Sequence, residues 1–122
     1  MINFLKSIQR KWLYSIIGLW TVLKEEKSIL VYIAIMPVII GLGIWLDLSS
    51  VKWSLLIVTI FLVITIEIIN TALEAAVDII SFQYNVKVKK IKDIASAATL
   101  VMTIGSAISI LIILISSIGD KI

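Results

Sequence analysis

Three long apolar stretches alternate with short polar segments along the chain, at residues 28–46, 53–80 and 94–118. About 20 mostly apolar residues let a helix cross the hydrocarbon core of a bilayer. The first stretch carries no charged residue and contains Pro37, a residue that membrane helices tolerate. The second is long enough to extend past the bilayer at one end. The pattern therefore predicts three transmembrane helices.

A different pattern precedes the first span. Over residues 3–24 apolar side chains recur at helical spacing, whereas Lys6, Arg10 and Lys24 lie away from the apolar stripe. This pattern predicts an amphipathic helix lying in the cytoplasmic membrane interface. An extension of the first span is the alternative, but the basic side chains would be costly in the membrane core. The apolar stripe consists of Leu5, Ile8, Trp12, Ile16, Leu19 and Leu23.

The composition supports a membrane protein. Of the 122 residues 61% are hydrophobic and the mean hydropathy is +1.14, whereas soluble domains have about 45–50% apolar residues. We expect a single membrane domain over residues 1–122. The chain contains no Cys and no His, so disulfides and His- or Cys-based metal sites are excluded. Any catalysis must use carboxylates, Lys, Tyr or hydroxyl side chains.

Basic residues are distributed unevenly between the two ends of the spans. There are five in residues 1–27, one near 47–53, four in the segment 81–93 and one in the C-terminal tail. Cytoplasmic loops of membrane proteins carry the excess of Lys and Arg. We therefore expect the N-terminus and a loop at 81–93 on the cytoplasmic side, and the C-terminus outside.

Polar residues on the second span form one stripe. The segment IEIINTALEAAVD, residues 66–78, contains Glu67, Asn70, Glu74 and Asp78. At 100° per residue these four side chains share an arc of about 80° on a helix. A rise of about 1.5 Å per residue places Glu74 roughly 10 Å and Asp78 roughly 16 Å nearer the cytoplasm than Glu67. The stripe thus runs from the aqueous surface into the membrane.

Glu67 is the deepest of these side chains, and burying a carboxylate in a membrane costs at least a few kcal/mol. The simplest explanation is an ion pair with Lys or Arg, but the middles of the other spans have no basic residue. Burial away from a cation favours the neutral form of a carboxyl group, and such a group can exchange a proton near neutral pH. Glu67 is therefore a candidate general base. Asn70 alone could simply bond across helices.

Carboxylates at the cytoplasmic level suggest a metal site. Glu25 and Glu26 precede the first span and can reach the depth of Glu74. Carboxylates from different helices suit Mg²⁺, which usually completes its shell with waters and nucleotide phosphates. Lys92 and Asp93 adjoin this level and are candidates for nucleotide contact, whereas Lys87 and Lys89 are explained by topology. With a base one to two turns deeper, the chemistry predicted is phosphoryl transfer to a lipid hydroxyl.

Two blocks resemble a known family, the prokaryotic integral-membrane diacylglycerol kinases, which include undecaprenol kinases. The first block is EIINTALEAAVD at 67–78, and the second is KDIASAA at 92–98, which resembles the opening of the family's third span. Glu26 and Tyr14 also match family positions. The resemblance implies a homotrimer of three-span subunits with an N-terminal surface helix, in the bacterial plasma membrane. It implies phosphorylation of a lipid alcohol with ATP and Mg²⁺.

The resemblance also implies roles for individual residues. Glu67 would be the general base and would meet the lipid substrate together with Ser96, and Asn70 would position the phosphate and the base. Glu26 and Glu74 would bind the metal. The residues implied on the nucleotide side are Tyr14, Glu26, Glu74, Asp78, Gln83, Lys92 and Asp93.

Three positions depart from the family pattern. Tyr32 stands where the family often has Glu or His, and Gln83 and Asn85 stand where it usually has Glu-x-His. Gln and Asn can hydrogen-bond a ribose or a base but bring no charge. Among substrates the resemblance favours diacylglycerol narrowly over undecaprenol. The alternative from another class is a small non-enzymatic membrane protein, such as a holin-like pore former, an accessory subunit or a proton-conducting subunit.

Overall fold

The computed structural model describes residues 1–81, 83 and 85–122, and these residues form four α-helices. Within them, α2, α3 and α4 are long and apolar enough to cross a membrane. The prediction of an all-α chain with three such helices is confirmed. The helix bounds are Ile2–Glu25 for α1, Lys27–Trp45 for α2, Ser50–Ile80 for α3 and Val86–Lys121 for α4.

A single residue separates α1 from α2. Glu26 has an extended backbone, with φ −105° and ψ 110°, so the chain changes direction there. None of the residues of α1 is buried, although the helix contacts α2. Its orientation in the membrane interface stays a prediction.

The turn between α2 and α3 is tight and well bonded. Asp47 adopts a left-handed conformation with φ 53°, which Asp tolerates better than most residues. The amide of Leu48 donates to the carbonyl oxygen of Gly43 at 3.2 Å. The Oγ atom of Ser49 then accepts from the amide of Lys52 at 3.4 Å and caps α3.

The core lies near this turn, at the end of the bundle away from Glu67. The most extensive helix contact joins α3 and α4. Apolar side chains from the turn, from α3 and from α4 meet there, and half-buried neighbours surround them. The fully or nearly buried members are Leu46, Leu48, Leu56 and Ile113.

Polar contacts tie the same end together. The Nζ atom of Lys52 lies 2.7 Å from Oδ2 of Asp120 and 3.0 Å from Oγ of Ser117. Lys121 donates from Nζ to the carbonyl oxygen of Trp45. The end of α4 is therefore bonded both to α3 and to the end of α2.

The structure corrects the predicted loop at 81–93. Helix α4 begins at Val86, so residues 86–93 are helical, and Phe82 and Tyr84 lie outside the described residues. The Oδ1 atom of Asn85 accepts from the amide of Lys87 at 2.8 Å and caps the helix. Lys is a good helix former, so a charged segment that follows a cap continues the helix. Elsewhere the helix ends lie within three residues of the predicted ones: α3 begins at Ser50 in place of 53, α4 ends at Lys121 in place of 118, and α1 and α2 differ by one residue at each end.

Candidate active site

The predicted polar stripe lies on one continuous helix, α3. Glu67, Asn70 and Glu74 are half-buried, and Asp78 is exposed near the end of the helix. The Nδ2 atom of Asn70 lies 3.4 Å from Oε1 of Glu74, a long hydrogen bond within the stripe. The Oδ1 atom of Asn70 is buried and has no partner among the described residues. This oxygen can accept a hydrogen bond or ligate a cation.

Glu67 contacts the beginning of α2. The Oγ atom of Ser28 donates to Oε1 of Glu67 at 2.5 Å, and both side chains are half-buried. The hydroxyl of Thr71 donates to the backbone carbonyl oxygen of Glu67 at 3.0 Å. No cation pairs with this carboxylate in the described part of the chain. Its partner is a hydroxyl group.

The predicted metal ligands lie on two different helices. Glu26 is half-buried and precedes the first residue of α2, whereas Glu74 belongs to α3. Residues 1–81, 83 and 85–122 contain no group of three or more acidic side chains close enough to hold a metal by themselves. The donors that are present still fit Mg²⁺, because Glu74 and the unpaired Oδ1 of Asn70 are hard oxygen atoms. A shell completed by waters and phosphates needs only one or two carboxylates.

The Asp78 end of the stripe opens into a cavity of about 240 Å³ between α3 and α4. Asp78 and Lys92 form an ion pair across it, with Nζ 2.5 Å from Oδ1. Both side chains keep substantial exposure, 62% for Asp78 and 35% for Lys92, so a ligand could reach them. The structure thereby brings together three of the predicted nucleotide-side residues. The lining consists of Asp78, Ser81, Gln83, Asn85, Val88, Lys89 and Lys92.

Three other predicted residues, Asp93, Tyr14 and Ser96, do not line this cavity. Asp93 is exposed and pairs with Lys89 at 2.7 Å on the surface of α4. Tyr14 is exposed on α1, beside a hollow that Lys6 and Arg10 also line. Ser96 is exposed, and its carbonyl oxygen accepts a bond from Thr99. Within the described residues, no hydrogen bond joins these side chains to Glu67.

The departure at Tyr32 also finds a place in the fold. Its hydroxyl lies 3.0 Å from Oγ1 of Thr103, and this hydrogen bond joins α2 to α4. Small residues that recur along a membrane helix let neighbouring helices approach closely, and Thr103 lies where α4 meets α2. Tyr32 is one turn beyond Ser28 along α2, and its hydrogen bond does not involve Glu67.

Sequence reasoning missed Ser28. A cation is the usual partner of a membrane-embedded carboxylate, and Ser28 is a small residue at the start of an apolar stretch. The available signal was its place in the chain, because it follows Glu26 by two residues and lies in the first turn of the helix that this predicted metal ligand precedes.

Together these side chains can support proton removal and phosphate binding at two depths. Glu67 offers a carboxylate within the apolar part of α3. Lys92 and Asp78 offer a charged, solvent-connected cavity about three helical turns away along α3, at 3.6 residues per turn. Asn70 and Glu74 lie between them on the same face. A group that transfers from water to a membrane-embedded acceptor could pass along this stripe.

Comparisons with known proteins agree with the resemblance. The family profile of prokaryotic diacylglycerol kinase matches residues 13–114. The diacylglycerol kinase of Escherichia coli strain K12 is 40% identical over 75 residues, which cover 62% of each chain. That of Helicobacter pylori strain J99 is 33% identical over 79% of this chain and 75% of its own length. The undecaprenol kinase of Bacillus subtilis strain 168 is 28% identical over 75% of this chain and 74% of its own length.

The profile match covers all of α2 and α3 and most of α4. It includes the whole polar stripe, Ser28 and the cavity between α3 and α4. The Escherichia coli match is narrower and spans about 62% of that relative. This chain belongs to the prokaryotic diacylglycerol kinase family.

Proposed function

We propose that the protein is a lipid kinase that transfers the γ-phosphate of ATP to the hydroxyl group of a lipid alcohol. The observation that carries the proposal is the half-buried carboxylate of Glu67 on α3, on the face that leads to the Asp78–Lys92 cavity. A carboxylate on the apolar part of α3 can act as a base for a hydroxyl group that approaches from within the membrane.

The reaction requires a base, a phosphate site and alignment between them. Glu67 takes the proton of the lipid hydroxyl while the hydroxyl oxygen forms the new bond to the γ-phosphorus. The bond from the γ-phosphorus to the bridging oxygen breaks, and ADP leaves. Asn70 holds the phosphate near the base by donating from Nδ2, which within the described residues makes only a long hydrogen bond to Glu74. Lys92 binds the nucleotide at the cavity between α3 and α4, after its ion pair with Asp78 opens or rearranges.

The proposal includes Mg²⁺. Glu74 and Glu26 would hold the ion, with the unpaired Oδ1 of Asn70 beside it. The ion would neutralise negative charge on the phosphates. Glu26 lies at the junction of α1 and α2, whereas Glu74 lies on α3, and we propose that a neighbouring subunit completes the site in a homotrimer.

For the lipid we propose diacylglycerol, which would give phosphatidic acid. The two relatives named diacylglycerol kinase are 40% and 33% identical, and the relative named undecaprenol kinase is 28% identical. The undecaprenol kinase matches a comparable share of the chain to the Helicobacter protein, so undecaprenol is the second candidate. A non-enzymatic pore or accessory subunit has no such support.

The proposed topology follows from charge. The N-terminus and the segment 81–93 would face the cytoplasm, where ATP is present, with α1 in the interface and the C-terminus outside. This arrangement places the cavity at Asp78 and Lys92 in reach of cytoplasmic nucleotide.

The test is a phosphorylation assay with the purified protein in mixed micelles, labelled ATP and Mg²⁺. Diacylglycerol and undecaprenol are offered in separate reactions at equal mole fraction. We expect labelled phosphatidic acid, with little labelling of undecaprenol. Faster labelling of undecaprenol would reverse the substrate assignment, and no labelling of either lipid would refute the kinase.

A further inference from the structure

The contact between Ser28 and Glu67 is the feature of the site that the polar stripe does not explain. Oγ of Ser28 and Oε1 of Glu67 are 2.5 Å apart, although 39 positions separate the residues in sequence. The bond joins the first turn of α2 to the middle of α3. It therefore links the helix that follows Glu26 to the helix that carries the base.

Packing holds both partners of this bond in place. Ile29, the residue after Ser28, is completely buried, and Val63, one turn from Glu67 on α3, is 8% exposed. The backbone of α2 next to Ser28 and the backbone of α3 near Glu67 are therefore both held by packing. A serine side chain is short and has one rotatable carbon–carbon bond, so its hydroxyl can reach only a small region around its Cα atom.

The start of α2 also favours a negative charge at this point. The N-cap residue Glu26 makes no side-chain hydrogen bond to the helix. The first amide groups of a helix have no partner within it, and the helix dipole is positive there. The carboxylate of Glu67 approaches this end of α2 through the hydroxyl of Ser28.

We propose that Ser28 is a positioning residue for the general base, a role that rests on the proposed kinase function. The hydroxyl binds Oε1 and fixes the carboxylate plane, which leaves Oε2 to receive the proton from the lipid hydroxyl. A hydroxyl group can donate to Oε1 both before and after that proton arrives. Ser28 thus holds the base in one orientation through the proton transfer.

The same bond couples the base to the metal level. Because Ser28 follows Glu26 by two residues, a shift of the first turn of α2 would move both the hydroxyl group and the predicted metal ligand. The base is then in position when the start of α2 is in position. Small misplacements of a reacting group cost large factors in rate.

The experiment compares three variants in the phosphorylation assay. Ser28→Ala should lower kcat about 10- to 100-fold, the effect expected for losing a hydrogen bond to a charged group. The KM values for ATP and lipid should stay within about twofold, because the proposed role of Ser28 is to bind Glu67 and not a substrate. Ser28→Thr keeps the hydroxyl and should restore most of kcat.

Thr103→Val is the matched control. It removes an interhelical hydroxyl bond of the same kind, to Tyr32 on α2, without touching Glu67. Its kcat should stay near that of the wild type. Equal losses in Ser28→Ala and Thr103→Val, or a Ser28→Ala enzyme as fast as the wild type, would overturn the proposal.

A measurement without turnover separates this proposal from the kinase itself. The infrared spectrum of Glu67→Gln is subtracted from that of the wild type, both recorded at acidic pH. The band that is present only in the wild type is assigned to the carbonyl stretch of protonated Glu67. In Ser28→Ala this band should move to higher wavenumber, because a hydrogen bond weakens the C=O bond. An unmoved band overturns the role of Ser28. A wild-type protein that labels no lipid refutes the kinase, even if the band moves.

Discussion

Gly43 occupies a position on α2 where the structure leaves no room for a side chain. A β-carbon there would lie 2.8 Å from Cη2 of Trp53 and 3.1 Å from Cδ1 of Leu48. Leu48 is 6% exposed, and half-buried Trp53 packs against the same core beside the α2–α3 turn, so a shift of either side chain would disturb that packing. Overpacking of this kind costs about 1–3 kcal/mol. Gly43→Ala should therefore destabilise the turn end of the bundle.

The higher helix propensity of alanine opposes that loss of stability. A matched control on the same helix cancels the propensity contribution. Alanine stabilises a helix interior by about 1 kcal/mol over glycine. Gly41 is on the same helix, and a β-carbon there meets no atom within 4 Å. The free energies of unfolding of both variants are measured by titration with a denaturing detergent. We expect Gly43→Ala to be less stable than Gly41→Ala by about 1–3 kcal/mol.

Equal stabilities of the two variants would refute the close packing of α2 against Trp53. A second variant, Gly43→Ala combined with Trp53→Leu, checks the cause. The smaller side chain should recover part of the difference between the two alanine variants. If the double variant recovers nothing, the loss does not come from the contact with the indole ring.

Two further predictions concern the proposed nucleotide and metal sites. Lys92→Met should raise the KM for ATP several-fold while the free energy of unfolding changes by about 1 kcal/mol or less, since exposed ion pairs contribute little. Lys87→Met, exposed near the start of α4, should leave that KM unchanged, and equal values for both variants would remove Lys92 from the site. Glu74→Ala should nearly abolish turnover and flatten the dependence of the residual activity on Mg²⁺. An unaltered Mg²⁺ titration of its residual activity would exclude Glu74 as a ligand.

The three long helices could be predicted from the sequence because each apolar residue in a run adds to the evidence for a membrane span. Long uncharged runs such as residues 28–46 identify spans by length alone, and the structure has a helix at each predicted span. The face that Glu67, Asn70, Glu74 and Asp78 share could also be predicted, since all four lie on one regular helix. Within one helix, spacing determines direction.

Contacts between helices could not be predicted in the same way. The bond from Ser28 to Glu67 depends on how α2 packs against α3, and hydrophobic periodicity contains no information about which side chains meet. The pairing of Lys92 with Asp78 has the same origin. Asn85 shows a different limit. The charged segment after it was predicted to be a loop, but the side chain of Asn85 caps α4 and the segment is helical.

The central claim is that Glu67 removes the proton from a lipid hydroxyl, and Glu67→Gln tests it most directly. Glutamine keeps the size and can still accept a bond from Ser28, but it cannot take up the proton. The variant is assayed with labelled ATP, Mg²⁺ and diacylglycerol in mixed micelles. Its kcat should be at least about 100-fold below that of the wild type, the scale expected for loss of a general base. The KM for ATP should stay within about twofold. A Glu67→Gln protein that labels the lipid as fast as the wild type would contradict the account.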